Sequence, residues 1–384
     1  MPWPDHPRSA PRRSCDPRHQ FSSAPTTTAS TSAVSTVGSS HWGARFTLPS
    51  LFVSAHDPNR PPMICISPCM CGLFGMVRSP FASDAGPASD VFVMLGMLAE
   101  ERGTDSAGLA LLGAWPGTGG DRCRVLKGRG RFSGIWRPEL LPELDRAPVA
   151  LGHTRWATQG SPAEPGNASP MIVPGAAAFT DPGTGSVRTK APAGVVAMHN
   201  GDIDAGDLRS RFALPPASGT TDSEPIFQLL AGCTSPSEVT RVLEAVVGRA
   251  ALVWVHRDRP TEVHLARAAL SPLTVAVDTE QNIYWASNPR WFREAERNTR
   301  VEFATAVMLR EGTYLKVGME RRPGRRDRPE VLATDAFLPT ARDTDMDDRV
   351  WTGFARADEE CDRAGLSHRV VERAGGTGGL PAVA

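Results

Sequence analysis

One cysteine in this chain changes its chemistry if the chain is cut beside it. Cys71 directly follows Met70, and removal of everything through Met70 would place a thiol and a free α-amine on one α-carbon. An α-amine titrates at about 7.7 to 8.0, which suits it to take a proton near neutral pH. The sulfur could then attack an electrophilic carbon without a histidine as base. While residue 70 stays attached, that nitrogen is an amide and accepts no proton, so the chemistry demands a processed or re-started chain. A lone cysteine is more often a small core hydrophobe. Cys71 differs by standing where Ser-, Thr- and Pro-rich sequence gives way to apolar runs.

Other reactive groupings fail. Cys65, Cys69 and Cys71 have the wrong spacing for a zinc knuckle and lack a second ligand pair. Gly128-Arg-Gly130 lacks the strand, glycines and helix of a dinucleotide loop, and no Gly-Lys-Ser/Thr phosphate loop occurs. No metal or organic cofactor is expected.

The elements that must position Cys71 follow from hydrophobic patterning. Residues 71–77 read as a short buried strand and 90–102 as a helix whose apolar residues face a core. Strands are expected at 108–115, 123–128 and 149–155, followed by a Gly/Pro/Ala-rich excursion over 160–192. A strand at 195–199 then ends in an Asn200-Gly201 turn. Helices near 223–231 and 236–247 precede strands at 250–256, 262–267, 273–277 and 282–286, a short helix at 289–297 and a hairpin over 301–317. Strands in runs, with helices segregated between them, predict an α+β domain of antiparallel sheets with covering helices. Residues 1–69 hold too little patterned apolar sequence to offset their ordering entropy. They are read as a disordered leader: a propeptide, or a mis-assigned start with translation beginning at Met70. From 321 to 384 the composition turns charged and irregular, with one short helical face suggested by Phe354, Ala357, Cys361 and Ala364.

Six segments occur in one order: Met70-Cys-Gly-Leu-Phe-Gly75, Arg102-Gly-Thr-Asp-Ser-Ala-Gly108, Gly152-His-Thr-Arg-Trp-Ala-Thr-Gln-Gly160, Asn167-Ala-Ser-Pro170, His199-Asn-Gly201 and Thr221-Asp-Ser-Glu224. Together they resemble the glutaminase domain of class II glutamine amidotransferases, similar to that of glucosamine-6-phosphate synthase, over residues 70–320. That family belongs to the N-terminal-nucleophile hydrolases, so the resemblance implies a four-layer α-β-β-α sandwich of two antiparallel sheets. It also implies that L-glutamine is hydrolysed to glutamate and ammonia through a cysteine thioester.

The resemblance assigns Cys71 as nucleophile and amine base. The Asn200 side-chain amide and the Gly201 backbone N–H become oxyanion donors, one such donor typically being worth about 3 to 4 kcal/mol. Arg155 takes the α-carboxylate as a two-pronged donor, and Asp222 takes the α-ammonium. Trp156 to Gly160 resembles the segment that closes over glutamine, with Trp156 and Thr158 as substrate contacts. Each residue has a plainer reading: a surface arginine in an arginine-rich chain, a capping box at Thr221-Asp-Ser-Glu224, an ordinary Asn-Gly turn. His199 is read as structural, and Arg102, Asp105 and Ser106 as a buried scaffold near the nucleophile. Gln159 and Ser169 stand where glucosamine-6-phosphate synthase has histidines, which bears on the lid and on acceptor coupling rather than on the thiol.

Whole-chain chemistry narrows the partners. Across 384 residues Lys+Arg and Asp+Glu number 42 each, giving no net charge, which argues against a nucleic-acid partner held through phosphates. The longest apolar run, 91–98, is far short of the roughly 20 residues that span a membrane. The cysteines form no paired framework, so a reduced, cytoplasmic setting is expected. The residues after 320 are too few for an acceptor module, so the ammonia is expected to pass to a separate synthase partner or simply to water. Two alternatives stand beside the glutaminase: a γ-glutamyl amide hydrolase of the same fold, and a non-catalytic glutamine-binding regulatory remnant.

Overall fold

The computed structural model describes residues 71–114, 121–157, 159–174, 194–320 and 328–340. The leader read over 1–69 and the helical face suggested at 354–364 lie outside the described residues.

Two antiparallel sheets carry the fold. In spatial order the first is β11 (Phe303–Met308), β9 (Thr274–Asp278), β10 (Ile283–Ala286), β1 (Gly72–Val77), β4 (Val149–Arg155), β2 (Ser106–Ala114) and β3 (Asp121–Arg129). The second is β13 (Arg328–Ala336), β12 (Thr313–Glu320), β8 (Glu262–Arg267), β7 (Gly248–His256), β6 (Val195–Ile203) and β5 (Met171–Val173). Alternation along each strand divides its side chains between two apolar layers. Leu73 and Val77 of β1, Val196 and Met198 of β6, and Ala251, Val253 and Val255 of β7 pack between the sheets. Phe74 and Met76 face outward, under α1 (Gly86–Ala99) and α7 (Arg290–Asn298). On the far side Leu252 and Trp254 pack under α4 (Ala205–Phe212), α5 (Glu224–Leu230) and α6 (Pro236–Glu244). Helices, sheet, sheet, helices: this is the four-layer α-β-β-α sandwich that the resemblance implies.

Because central strands are covered on both faces, β1 and β7 are buried at every residue. They read as continuous apolar runs rather than alternating ones. Close sheet packing also fixes glycines. A Cβ at Gly75 would stand 2.1 Å from the Trp285 ring and 2.6 Å from the Ala150 carbonyl oxygen.

Three sequence expectations need correction, and one helix was missed. The segment over 301–317 is no hairpin: β11 pairs with β9 in the first sheet, whereas β12 pairs with β8 and β13 in the second, so the link between them crosses the sandwich. Asn200-Gly201 is no turn, because β6 runs through both residues and pairs with β7 as far as Ile203. Past 320 the chain is not wholly irregular, since β13 extends the second sheet. As a half-exposed edge strand it shows little apolar alternation to read. Finally, α4 went unpredicted. Its Asp204 side chain accepts the Asp207 N–H and starts a helix too polar to show a strong stripe. Among the described residues no helix is long and apolar enough to cross a membrane.

Candidate active site

The inter-sheet layer is apolar through its middle and polar at one end. Cys71 shares the inter-sheet side of β1 with Leu73 and Val77 by alternation, and Asn200 shares that side of β6 with Val196 and Met198. His153 and Arg155 share it with Val149 and Leu151 on β4. The site therefore grows from three strands of two sheets, held by the same packing that holds the core.

Cys71, Arg155, Trp156, Gly201 and Asp222 line one cleft of about 300 Å³, together with His153, Gln159, His199 and Ser223. Five of the expected residues are thus brought together. Asn200 lies behind the cleft wall, fully buried, its Nδ2 donating to Ser287 Oγ at 3.3 Å and its Oδ1 without a hydrogen-bond partner. Thr158 lies outside the described residues.

Backbone bonds fix the nucleophile. Arg102 Nε donates to the Cys71 carbonyl oxygen at 3.2 Å, and the Leu73 N–H donates to Ser287 Oγ at 2.8 Å. The thiol donates to the Trp156 carbonyl oxygen at 3.5 Å. Burial pushes its pKa up to about 11, against the smaller pulls of that hydrogen bond and of Arg155. In the uncut chain the sulfur is therefore a protonated thiol at neutral pH, and a nucleophile here needs a proton acceptor beside it.

The imidazoles do not supply one. His153 Nε2 donates to the His199 carbonyl oxygen at 3.1 Å. His199 is hydrogen-bonded to Ser223 Oγ at 2.9 Å and the Arg249 carbonyl oxygen at 3.3 Å. Burial lowers the pKa of His153 to about 3 and of His199 to about 4, so both are poor proton acceptors. The structural reading of His199 agrees with these bonds.

Gly201 offers a free donor. Ala250, its partner on β7, directs its own N–H and C=O to Ala269 and Ala268. Gly201 and Ala250 thus form a non-hydrogen-bonded pair, and the Gly201 N–H points away from β7. On its other side β5 pairs only as far as Ala197, so among the described residues no strand takes that N–H. Its φ of +148° and a would-be Cβ only 2.0 Å from the Arg249 carbonyl oxygen require glycine here.

The clamp residues are equally specific. Arg155 is 5% exposed; its Nη2 donates to the carbonyl oxygens of Gln159 and Gly160, the latter at 3.1 Å, while Nη1 has no hydrogen-bond partner. That rules out the surface-arginine reading. Asp222 Oδ2 accepts the Ile203 N–H at 2.9 Å, and Ser223 Oγ donates to its Oδ1 at 3.2 Å. The capping box is not formed: the Glu224 carboxylate accepts from the backbone of Ser218 and Gly219 instead. Asp105 accepts the Ala157 N–H at 2.8 Å, tying the scaffold to the segment after Arg155. Buried Asn167 ties that segment onward, donating to the Ser161 carbonyl oxygen at 3.0 Å and accepting the Thr220 N–H at 2.8 Å. Trp156 stands at the mouth, 37% exposed.

Three participants were missed in the sequence. Ser287 binds both β1 and Asn200, and no pattern marks it. Asp202 directly follows Asn200-Gly201, and Arg249 interrupts the otherwise apolar run of β7. Asp202 and Arg249 are each a charge inside a buried strand, which is the signal that could have found those two.

No family model matches this chain. In sequence it is 28% identical over 272 residues to a glutamine–fructose-6-phosphate aminotransferase of Thermus thermophilus, covering 68% of this chain and 39% of that protein. It is 34% identical over 222 residues to the enzyme of the same name from Streptomyces coelicolor, covering 54% of this chain and 30% of that one. The chain thus spans less than half the length of these relatives. Among solved structures, a Bacillus subtilis glutamine phosphoribosylpyrophosphate amidotransferase with ADP and GMP overlaps 69% of this chain and 50% of its own at a TM-score of 0.43 and 16% identity. An allosteric regulatory enzyme of purine biosynthesis overlaps at a TM-score of 0.45 and 18% identity.

Proposed function

We propose that this chain contains a domain related to the class II glutamine amidotransferases and that it hydrolyses the side-chain amide of L-glutamine to glutamate and ammonia, with Cys71 as nucleophile once its α-amine is free. The observation that carries the reading is the gathering of Cys71, Arg155, Gly201 and Asp222 around one cleft. Each has a group in glutamine to meet: amide carbon, α-carboxylate, amide oxygen and α-ammonium.

The steps balance on this chain's own groups. The Cys71 amine takes the thiol proton as sulfur bonds to the amide carbon, and charge moves onto the oxygen facing the Gly201 N–H, with Asn200, buried beside the cleft, offering the amide N–H that Ser287 does not take. The resulting ammonium returns its proton to the departing nitrogen, the C–N bond breaks, and a thioester remains. Water then gives a proton to the amine as its oxygen attacks, the C–S bond breaks, and glutamate leaves with the thiol restored. A protonated thiol supports this order, because the proton moves during attack rather than before it. Transfer of the ammonia to an acceptor carried by a partner is part of the same proposal.

The test is to verify by N-terminal sequencing and intact mass that Cys71 opens the chain, then to measure glutamate release from L-glutamine. Turnover lost in Cys71→Ala supports the reading. No release from a verified Cys71-first chain overturns it, and faster turnover of γ-glutamyl amides than of glutamine moves the substrate to that class.

A further inference from the structure

One hydroxyl joins the two sheets beside the nucleophile's strand. β1 and β10 run antiparallel, with Phe74 opposite Ala286 and Gly75 opposite Trp285, so the next residues to meet are Leu73 and Ser287. A hydrogen-bonded antiparallel pair exchanges two N–H···O=C bonds. Here the Ser287 N–H does donate to the Leu73 carbonyl oxygen, at 2.9 Å. The return bond is different: the Leu73 N–H donates to Ser287 Oγ at 2.8 Å instead of to a carbonyl. The backbone leaves the sheet at this point, since the Asn288 side chain is bonded to Glu101 and α7 begins at Arg290. The side chain completes the ladder in its place.

The same oxygen reaches the second sheet. Asn200 Nδ2, on β6, donates to Ser287 Oγ at 3.3 Å, and both residues are fully buried. A hydroxyl oxygen accepts through two lone pairs, and Leu73 and Asn200 fill both. Among the described residues the Asn200 side chain has no other hydrogen-bond partner, its Oδ1 included. A carboxamide is planar, so anchoring one amide N–H fixes the direction of the other. One oxygen atom thus meets the strand that begins beside Cys71 and the amide read as an oxyanion donor.

We propose that Ser287 is a positioning residue that holds the Asn200 amide in register with the Cys71 strand and so aims its second N–H at the developing oxyanion. This rests on the reading of Asn200 as an oxyanion donor. Such a donor accelerates the reaction because it is already in place when charge appears. Without the Ser287 oxygen the carboxamide is free to turn, and that preorganisation is lost. Arg155 and Asp222 keep their own partners, so the hold on the substrate's carboxylate and ammonium is unchanged.

Two measurements on the Cys71-first protein test this. The side-chain 15N–1H signals of Asn200, assigned by their loss in Asn200→Ala, need no substrate. In Ser287→Ala the bonded proton should move upfield and exchange faster with water. In glutamine kinetics, Ser287→Ala should lower kcat about tenfold or more while KM moves less than about twofold. In the Asn200→Ala background the same substitution should cost less than about twofold, because the residue it acts through is already gone. Should Ser287→Ala not fold, Ser287→Cys, whose sulfur is a weak acceptor, carries the test with the same expected losses. Asn200 signals that do not move overturn the proposal. So does a kcat that is unchanged, a loss that falls on KM instead, or a kcat loss of equal size with and without Asn200. If the wild type turns over no glutamine, the functional reading fails while the Asn200 signals still decide whether Ser287 holds the amide.

Discussion

Alkylation of Cys71 in the uncut chain measures the proton problem directly. Burial holds this thiol at about 11 against an ordinary 9.0. At pH 7.5 that leaves roughly 3 in 10,000 molecules as thiolate, where an ordinary thiol would have about 3 in 100. The reactive form is the thiolate, so iodoacetamide should label Cys71 about 100-fold more slowly than a free cysteine at this pH. The rate should keep rising with alkali beyond pH 9. Peptide mass spectrometry resolves Cys71 from Cys123, which is exposed, and from Cys233, which is buried. Exposing the α-amine changes the outcome in one direction only. Glutamine turnover should appear with the Cys71-first chain and increase through about pH 7.7 to 8.0 as that amine becomes neutral. A labelling curve in the uncut chain with a midpoint near 9 or below would refute the reasoning, since a preformed thiolate needs no amine. Equal glutaminase activity in cut and uncut chains would refute it from the other side.

Arg155→Lys keeps the charge but loses the fork that meets a carboxylate on two donors; KM for glutamine should rise about tenfold with kcat less affected, read from initial rates. Asn200→Ala removes an amide that donates to Ser287 Oγ and is proposed as an oxyanion donor, so kcat should fall about 100- to 1,000-fold while the urea midpoint moves little. Gly75→Ala drives a Cβ against the Trp285 ring and the Ala150 carbonyl, and should cost about 1 to 3 kcal/mol in urea unfolding, whereas alanine at Gly134, with nothing within 4 Å, should not. Burial holds His153 at about 3 and His199 and His256 at about 4, below the ordinary 6.5. The unfolded chain binds protons below 6.5 that the folded chain refuses, so stability present above 6.5 is lost as pH falls toward 4, and unfolding at pH 5 should take up about three protons from these residues.

The strands of the site were legible because two-sided burial writes itself as an apolar run, as in 71–77 and 250–256. The six ordered segments marked Cys71, Arg155, Gly201 and Asp222 before any geometry. What was not legible depended on partners distant in sequence. Nothing local in 301–317 says that β11 and β12 join different sheets, because the two edges that receive them, β9 and β8, are set by tertiary packing. Asn-Gly is a turn signal in isolation, yet at 200–201 the pairing of β6 with β7 overrides it, and the glycine serves instead to fit beneath the Arg249 carbonyl. Thr221-Asp-Ser-Glu224 has the letters of a capping box, but Asp222 is drawn to the Ile203 N–H and Glu224 to Ser218. Local competitors with equal hydrogen-bonding capacity cannot be ranked without knowing which donors the fold leaves unfilled.

The position of the site follows from the sandwich itself. Between two sheets the middle layer must be apolar, because side chains there meet only one another, and Leu73, Met198 and Val253 satisfy that demand. Toward the end of the layer the same alternation that pointed these residues inward points Cys71, Arg155, Asn200, Asp202 and Arg249 inward too. They leave water without leaving the core's rigid frame, so their dielectric surroundings are low and their geometry is set by strand register rather than by loops. A substrate's ammonium and carboxylate would enter a place where charge is costly and only matched charge is tolerated. On the proposed reading, selectivity for an α-amino acid would come from the scaffold's own electrostatics, together with the segment at the mouth that Arg155 and Gln159 tie down.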